Sequence, residues 1–182
     1  MQNNTKEKTV VMLDTNIYDK LHSDPEFLKT LIALQEDGQL EIIKTHIQED
    51  ELATAPFNLE IPSEKIATDA FILGTSRLGQ ARLGDGTGRL KETKVPTAGA
   101  IWGTSRWGDA CWGDGSQSGM SVNDIKTDAG NHIGDSLIAV TASNHADIFV
   151  TEDTRLRRKM KNCPAKCKVM DYSEFKKTFH HP

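Results

Sequence analysis

The stretch HIGDSLIAVTASNHADIFVTEDTRL, residues 132–156, holds two periodicities in succession. Ile133, Leu137 and Val140 fall at i, i+4 and i+7 with Ile138 beside them, which makes one apolar face of a helix. The polar pair Asn144-His145 precedes a tight link, and IFVT (148–151) then reads as a buried strand. A helix returning directly into a strand is half of a βαβ unit, so the search outward is for more of the same.

Toward the N-terminus, TVVML (9–13) is a short β-branched run that stops at Asp14, inside LDTN. Asp24-Pro25 starts a helix whose apolar face is Phe27, Leu28, Leu31, Ile32 and Leu34, and Gly38 ends it. LEIIKT (40–45) reads as a second strand, followed by a short acidic helix over QEDELATA (48–55). Ser63 is expected to cap another helix through Ile66, Ala70 and Phe71. Toward the C-terminus, residues 154–161 read as a helix, KVMDY (168–172) as a strand, and Ser173 as the cap of a last helix. Strands alternating with helices throughout imply an α/β fold, a mostly parallel sheet covered on both faces.

Between residues 74 and 119 the pattern breaks. Eleven of the fourteen glycines and all three tryptophans fall there. ILGTSRLGQARLGDG (72–86) repeats as IWGTSRWGDACWGDG (101–115), identical at ten of fifteen positions. An apolar residue before glycine recurs every five residues, at Leu73, Leu78 and Leu83 and again at Trp102, Trp107 and Trp112. Five matches neither helix nor strand, so short strands and turns, a β-hairpin-like arm, are expected. The segment reads as an insertion into a single domain spanning residues 1–182. Its tryptophans suit self-packing or a partner, a homo-oligomer (dimer) first among them, better than base stacking. GDG at 84–86 and 113–115 is turn chemistry.

Composition bounds the function. The chain has 182 residues, 37% of them apolar, with 22 Lys and Arg against 26 Asp and Glu for a net charge of −4. That is enough apolar content for a core, and it excludes wholesale disorder. No apolar run nears the roughly 20 residues of a membrane helix, and MQNNTKEK is unlike a secretory signal. Three cysteines, Cys111, Cys163 and Cys167, make a disulfide framework an unfavoured reading, and CPAKC lacks metal spacing. A cytoplasmic protein with no membrane partner is expected. From Thr151 onward the net charge is +5, so a basic end adjoins an acidic remainder of −9.

Four carboxylates stand where a parallel sheet presents its ligands, at the carboxyl ends of strands. Asp14 follows the first strand, and Asp153 lies just past IFVT. Glu51 is on the helix after the second strand, and Asp135 opens the helix before IFVT. Bare, such a group would repel itself; an oxygen-loving divalent cation, Mg²⁺ or Mn²⁺, resolves the conflict. It would also activate water against a phosphodiester. Taken singly, Asp14 and Asp153 read equally well as helix caps, and Glu51 as a solvated face. The scattered histidines, His46 and His132 included, read as surface groups.

The ordered strings VVMLDTN, THIQEDEL, GDSLIAVTA and IFVTEDTRL together resemble the PIN-domain family of metal-dependent nucleases, over about three quarters of the chain. The resemblance implies a PIN-like three-layer sandwich and a metal held by Asp14, Glu51, Asp135 and Asp153, with Asn16 and Thr151 in support. Glu49 rivals Glu51, but Leu52 favours the latter, because the family's Glu precedes a Leu. It further implies an Mg²⁺- or Mn²⁺-dependent ribonuclease, similar to VapC-like toxins that a partner antitoxin protein restrains, with Arg155 and Arg157 expected on the RNA backbone. The contrasting expectation is a catalytically silent PIN-like module that binds RNA or protein through the insertion. A haloacid-dehalogenase-type phosphatase would want a second Asp two residues after Asp14, where Asn16 stands.

Overall fold

The structure is a computed structural model that describes residues 8–69, 80, 82–83, 100–101, 133–163 and 165–179. In chain order the elements are β1 (Thr9–Leu13), α1 (Thr15–His22), α2 (Pro25–Glu36), β2 (Leu40–Lys44) and α3 (His46–Ala53). Then come β3 (Glu64–Lys65), β4 (Arg82–Leu83), β5 (Ala100–Ile101) and α4 (Ile133–His145). The described chain closes with β6 (Ile148–Val150), α5 (Thr154–Asn162), β7 (Lys168–Met170) and α6 (Tyr172–Phe179). Five strands form one sheet in the order β3-β2-β1-β6-β7, and every pair in it is parallel.

Strand alternation divides the core in two. Val11, Leu13, Leu40, Ile42, Ile148, Val150 and Met170 face the side covered by α1, α2 and α6. Met12, Ile43 and Phe149 face the other side, against α3, α4 and α5. Because both faces are covered, the centres of β1, β2 and β6 are apolar on successive residues, as expected of a parallel sheet. Phe27 and Phe175 meet edge to face at 5.6 Å and are fully buried, joining α2 to α6. The result is a three-layer α/β arrangement.

Three local expectations need correction. Residues 64–69 do not form the helix expected after Ser63: Glu64 and Lys65 pair with Ile43 and Lys44 as an exposed edge strand, while Ala70 and Phe71 lie outside the described residues. The last helix is capped by Asp171, whose Oδ1 accepts from the Glu174 amide at 2.8 Å, so Ser173 lies inside it. And α1 occupies a stretch where no helix was expected, with Asp14 as its cap.

In the 74–119 segment, β4 and β5 pair antiparallel, Arg82 opposite Ile101 and Leu83 opposite Ala100. The tryptophans, Cys111 and His132 lie outside the described residues. The chain just before that segment is pinned to the far end of α4. Buried Asp69 accepts from Asn144 Nδ2 at 2.8 Å, lies 2.7 Å from His145 Nε2, and donates its amide to Thr141 Oγ1 at 3.2 Å.

The end of α2 shows how backbone chemistry sets the register of β2. Gln39 N donates to Leu34 O at 2.9 Å and Gly38 N to Gln35 O at 3.0 Å, with Gly38 at φ +68°. A Cβ at Gly38 would meet nothing within 4 Å, so any cost of adding one is purely conformational. Gly38→Ala should therefore destabilise the protein by about 1 kcal/mol and Gly38→Asn by less, read as the shift of the urea midpoint at unchanged slope.

Candidate functional site

The sheet order reverses between β1 and β6: the chain leaves β1 toward β2 and β3, then returns to add β6 and β7 on the other side. In open α/β sheets the crevice outside the carboxyl ends at such a point is where ligands bind. Asp14 sits there. Its amide donates to Val150 O at 2.9 Å, extending the β1–β6 pairing by one residue past the strand end.

The Asp14 carboxylate is 5% exposed and fully engaged with neutral donors. Oδ1 accepts from Thr15 N at 2.9 Å, the capping bond of α1. Oδ2 accepts from Asn16 Nδ2 at 2.8 Å and from Thr151 Oγ1 at 2.5 Å. Asn16 turns its carbonyl to Glu152 N at 3.2 Å, and Thr151 Oγ1 accepts from Asp153 N at 3.0 Å. Asn16 and Thr151 thus fix the carboxylate from both strand ends.

Glu51 reaches the same crevice from α3, where Thr15 Oγ1 donates a short hydrogen bond to its Oε2. The helix is positioned by Gln48, whose Oε1 accepts from Thr45 N at 2.7 Å and whose Nε2 donates to Leu13 O at 2.5 Å. One buried amide therefore ties the end of β1 to the end of β2 one turn before Glu51. From α4, Gly134 brings its backbone close: a Cβ there would lie 3.4 Å from Ile47 Cγ2 and 3.6 Å from Glu51 Oε1. The next residue is Asp135.

These three acids are electrostatically joined. Burial, and secondarily repulsion from Asp135 and Glu51, push the Asp14 carboxyl up to about 6, against the opposing bonds from Thr151 and Thr15. Glu51 is raised as well, by burial first and then by Asp135 and Asp50, with the Thr15 bond opposing.

Asp153, like Asp14, caps a helix: its Oδ1 accepts from Arg155 N at 2.7 Å and Leu156 N at 3.1 Å at the start of α5. Among the described residues no group of three or more His, Cys, Asp or Glu side chains is close enough to form a ready metal cage. The oxygen-only donors and their mutual repulsion nonetheless fit a hard divalent cation.

Other expectations resolve individually. Glu49 pairs with Lys44 at 3.5 Å and with Lys65, away from Asp14. Arg157 is bound to Asp171, Nη1 to Oδ2 at 2.9 Å, so its guanidinium is already engaged, while Arg155 is exposed. His46 is not a surface group: it is fully buried. Cys163 is half-buried and Cys167 is a buried thiol. Sequence reading passed over Thr15 and Gln48. The signal for Gln48 was present as the capping box Thr45-x-x-Gln48; Thr15 had none beyond its place beside Asp14.

Compared with family models, curated proteins and solved structures, the chain gives no match. What fold and site define is a class: a doubly covered parallel α/β sheet with a coupled carboxylate crevice at its switch point.

A carboxyl raised from 3.8 to about 6 binds protons more tightly folded than unfolded. Its contribution therefore favours the fold below 3.8 and is lost as pH rises toward 6. In chelator-containing buffer, Asp14→Asn should flatten this fall and gain up to about 3 kcal/mol at neutral pH, measured as the mutant-minus-wild-type difference in urea unfolding. A difference that does not vary with pH would mean that Asp14 carries no such strain.

Proposed function

We propose that this protein is a PIN-type, divalent-metal-dependent endoribonuclease. The observation that carries the reading is the coupling of Asp14, Glu51 and Asp135 at the switch-point crevice, with Asp14 raised to about 6. A buried acid repelled by two half-buried neighbours is a poor device for stability alone, and a cation entering the crevice relieves the strain on Asp14 and Glu51. RNA as the polymer, and a VapC-like toxin role under antitoxin control, come from the motif resemblance.

In this reading Asp14, Glu51 and Asp135 would hold Mg²⁺ or Mn²⁺. The resemblance adds Asp153, whose Oδ1 serves the α5 cap. When bound, the cation supplies a Lewis acid that lowers the pKa of a water and shields the charge of a phosphate oxygen. The chain's own side chains do the orienting. Thr151 and Asn16 lock the Asp14 carboxylate in one rotamer, and Thr15 does the same for Glu51. Gln48 keeps α3, and hence Glu51, in register with the end of β1. Preorganised carboxylates need no reorganisation as the reaction proceeds.

The contrasting reading is a binding module without turnover; the engagement of Asp153 as a helix cap is what favours it. One assay separates the two. Mixed single-stranded RNA and DNA are incubated with Mg²⁺, Mn²⁺ or chelator, beside the Asp14→Asn variant. Metal-dependent cleavage of RNA is expected, falling about a hundredfold or more in the variant. Saturating Mn²⁺ should also raise the unfolding free energy of the wild type by about 2.7 kcal/mol at a hundredfold excess over Kd. Cleavage that survives chelator, or an unaltered rate in Asp14→Asn, would sink the proposal.

A further inference from the structure

We infer that the outward face of α5 is a docking track for the backbone of single-stranded RNA, an inference that rests on the nuclease reading for the identity of the polymer. The sequence of α5 is TRLRRKMKN: five cations in nine residues and no acid. Leu156 and Met160, four residues apart, are the buried positions and fix the inward side. At 100° per residue, Arg155, Arg158 and Lys161 lie on the opposite side, and all three are exposed. Their spacing of three residues places them on one ridge about 9 Å long.

Three features set this ridge apart. First, none of the three ridge cations is in an ion pair among the described residues, a state they share with Lys20, Lys29, Lys166, Lys168 and Lys177, but these three stand three residues apart on one helix face. Second, the arrangement costs helix stability. Like charges three and four residues apart repel, and Arg155 stands in the first turn, the end of the macrodipole that disfavours cations. The dipole favours Lys161, in the last turn, so the cost lies in Arg155 and in the repulsion among the cations, and an anion from outside would relieve it. Third, the exposed side of α5 offers Thr154, Arg155, Arg158, Lys161 and Asn162, with no apolar residue among them. A protein partner would find no hydrophobic anchor there, while phosphates need only charge.

Its placement supplies the purpose. The ridge starts two residues after Asp153, whose amide bonds Thr151, which in turn holds Asp14. The track leads away from the acidic crevice. That crevice repels phosphate until a cation occupies it; the ridge attracts phosphate regardless. Docking is therefore separable from chemistry and persists without divalent metal.

The test is fluorescence anisotropy of a labelled oligouridylate with the full chain in chelator, across a series of salt concentrations. The variant carrying Arg155→Ala, Arg158→Ala and Lys161→Ala is compared with a control carrying Lys20→Ala, Lys29→Ala and Lys177→Ala, exposed cations on the sheet's other face. The ridge variant should bind about tenfold or more weakly, and its log K against log salt should flatten by roughly 2, about 0.7 for each lost phosphate contact. The control should match the wild type. Equal losses in both variants, or none in the ridge variant, would overturn the track. So would tighter binding of an oligoglutamate peptide, which would assign the ridge to an acidic protein instead. Turnover with Mn²⁺ keeps the two proposals apart. A ridge-dependent binder that never cleaves leaves the track standing and removes the nuclease. A nuclease whose KM ignores the ridge does the reverse.

Discussion

The constraint on which the rest of the structure depends is the burial of one carboxylate at the seam between β1 and β6. Asp14 donates its amide to Val150 and accepts from the Thr151 hydroxyl, so a single residue closes the backbone ladder and stitches the two strand ends together. The same residue caps α1, which means that the first helix on one face begins from the seam. Neutral donors hold the carboxylate in place, but they do not cancel its charge or that of Glu51 and Asp135 nearby. Fold and site therefore share one residue: the Asp14 amide holds the strand end, and its side chain caps the helix and faces the other acids.

That double use explains what was legible in the sequence. The strands at Thr9–Leu13, Leu40–Lys44 and Ile148–Val150 announce themselves as β-branched, apolar runs because both faces of the sheet are covered. The parallel arrangement follows from the helices between them. But the cap role open to Asp14 was not joined to a helix, because TNIYDKLH carries too short an apolar pattern to announce one, and α1 has no counterpart in the sequence reading. At Ser63 the cap chemistry looked sound, yet tertiary pairing with β2 took the following two residues into an edge strand too short to show a period. At the last helix, Asp171 and Glu174 form a reciprocal pair that outcompetes Ser173: the Asp171 amide donates to Glu174 Oε2 at 3.1 Å while Asp171 Oδ1 receives the Glu174 amide.

For the site, position along the chain was informative and side-chain allegiance was not. Strand-end logic brought out Asp14, and the acidic helix and the α4 start brought out Glu51 and Asp135; the structure places these three in one field. No spacing rule distinguishes an Asp that faces a crevice from one that turns back onto its own helix, and Asp153 turns back. Nor does the pattern T-R-L-R-R reveal that the second arginine is taken by Asp171, fourteen residues on, while the first remains exposed. These are choices between near-degenerate partners, settled by packing of α5 against β7, which brings Arg157 to Asp171.

The two ends of α4 show how the sheet separates duties. Its first turn, where Gly134 permits close approach to α3, delivers Asp135 beside the other acids. Its last turn, at the other end of the thirteen-residue element, is held by Asp69 through Asn144 and His145. Between them nine consecutive residues, Ser136 to Asn144, are buried, so the helix is a rigid strut through the core. A rigid strut fixes the position of Asp135 through the packing of its helix, which is what a repulsive cluster requires. The acids cannot attract one another into place, so they must be carried there by elements that gain their stability elsewhere. The apolar packing of α3 and α4 against Met12, Ile43 and Phe149 supplies that gain, and it offsets the electrostatic cost that the crevice imposes.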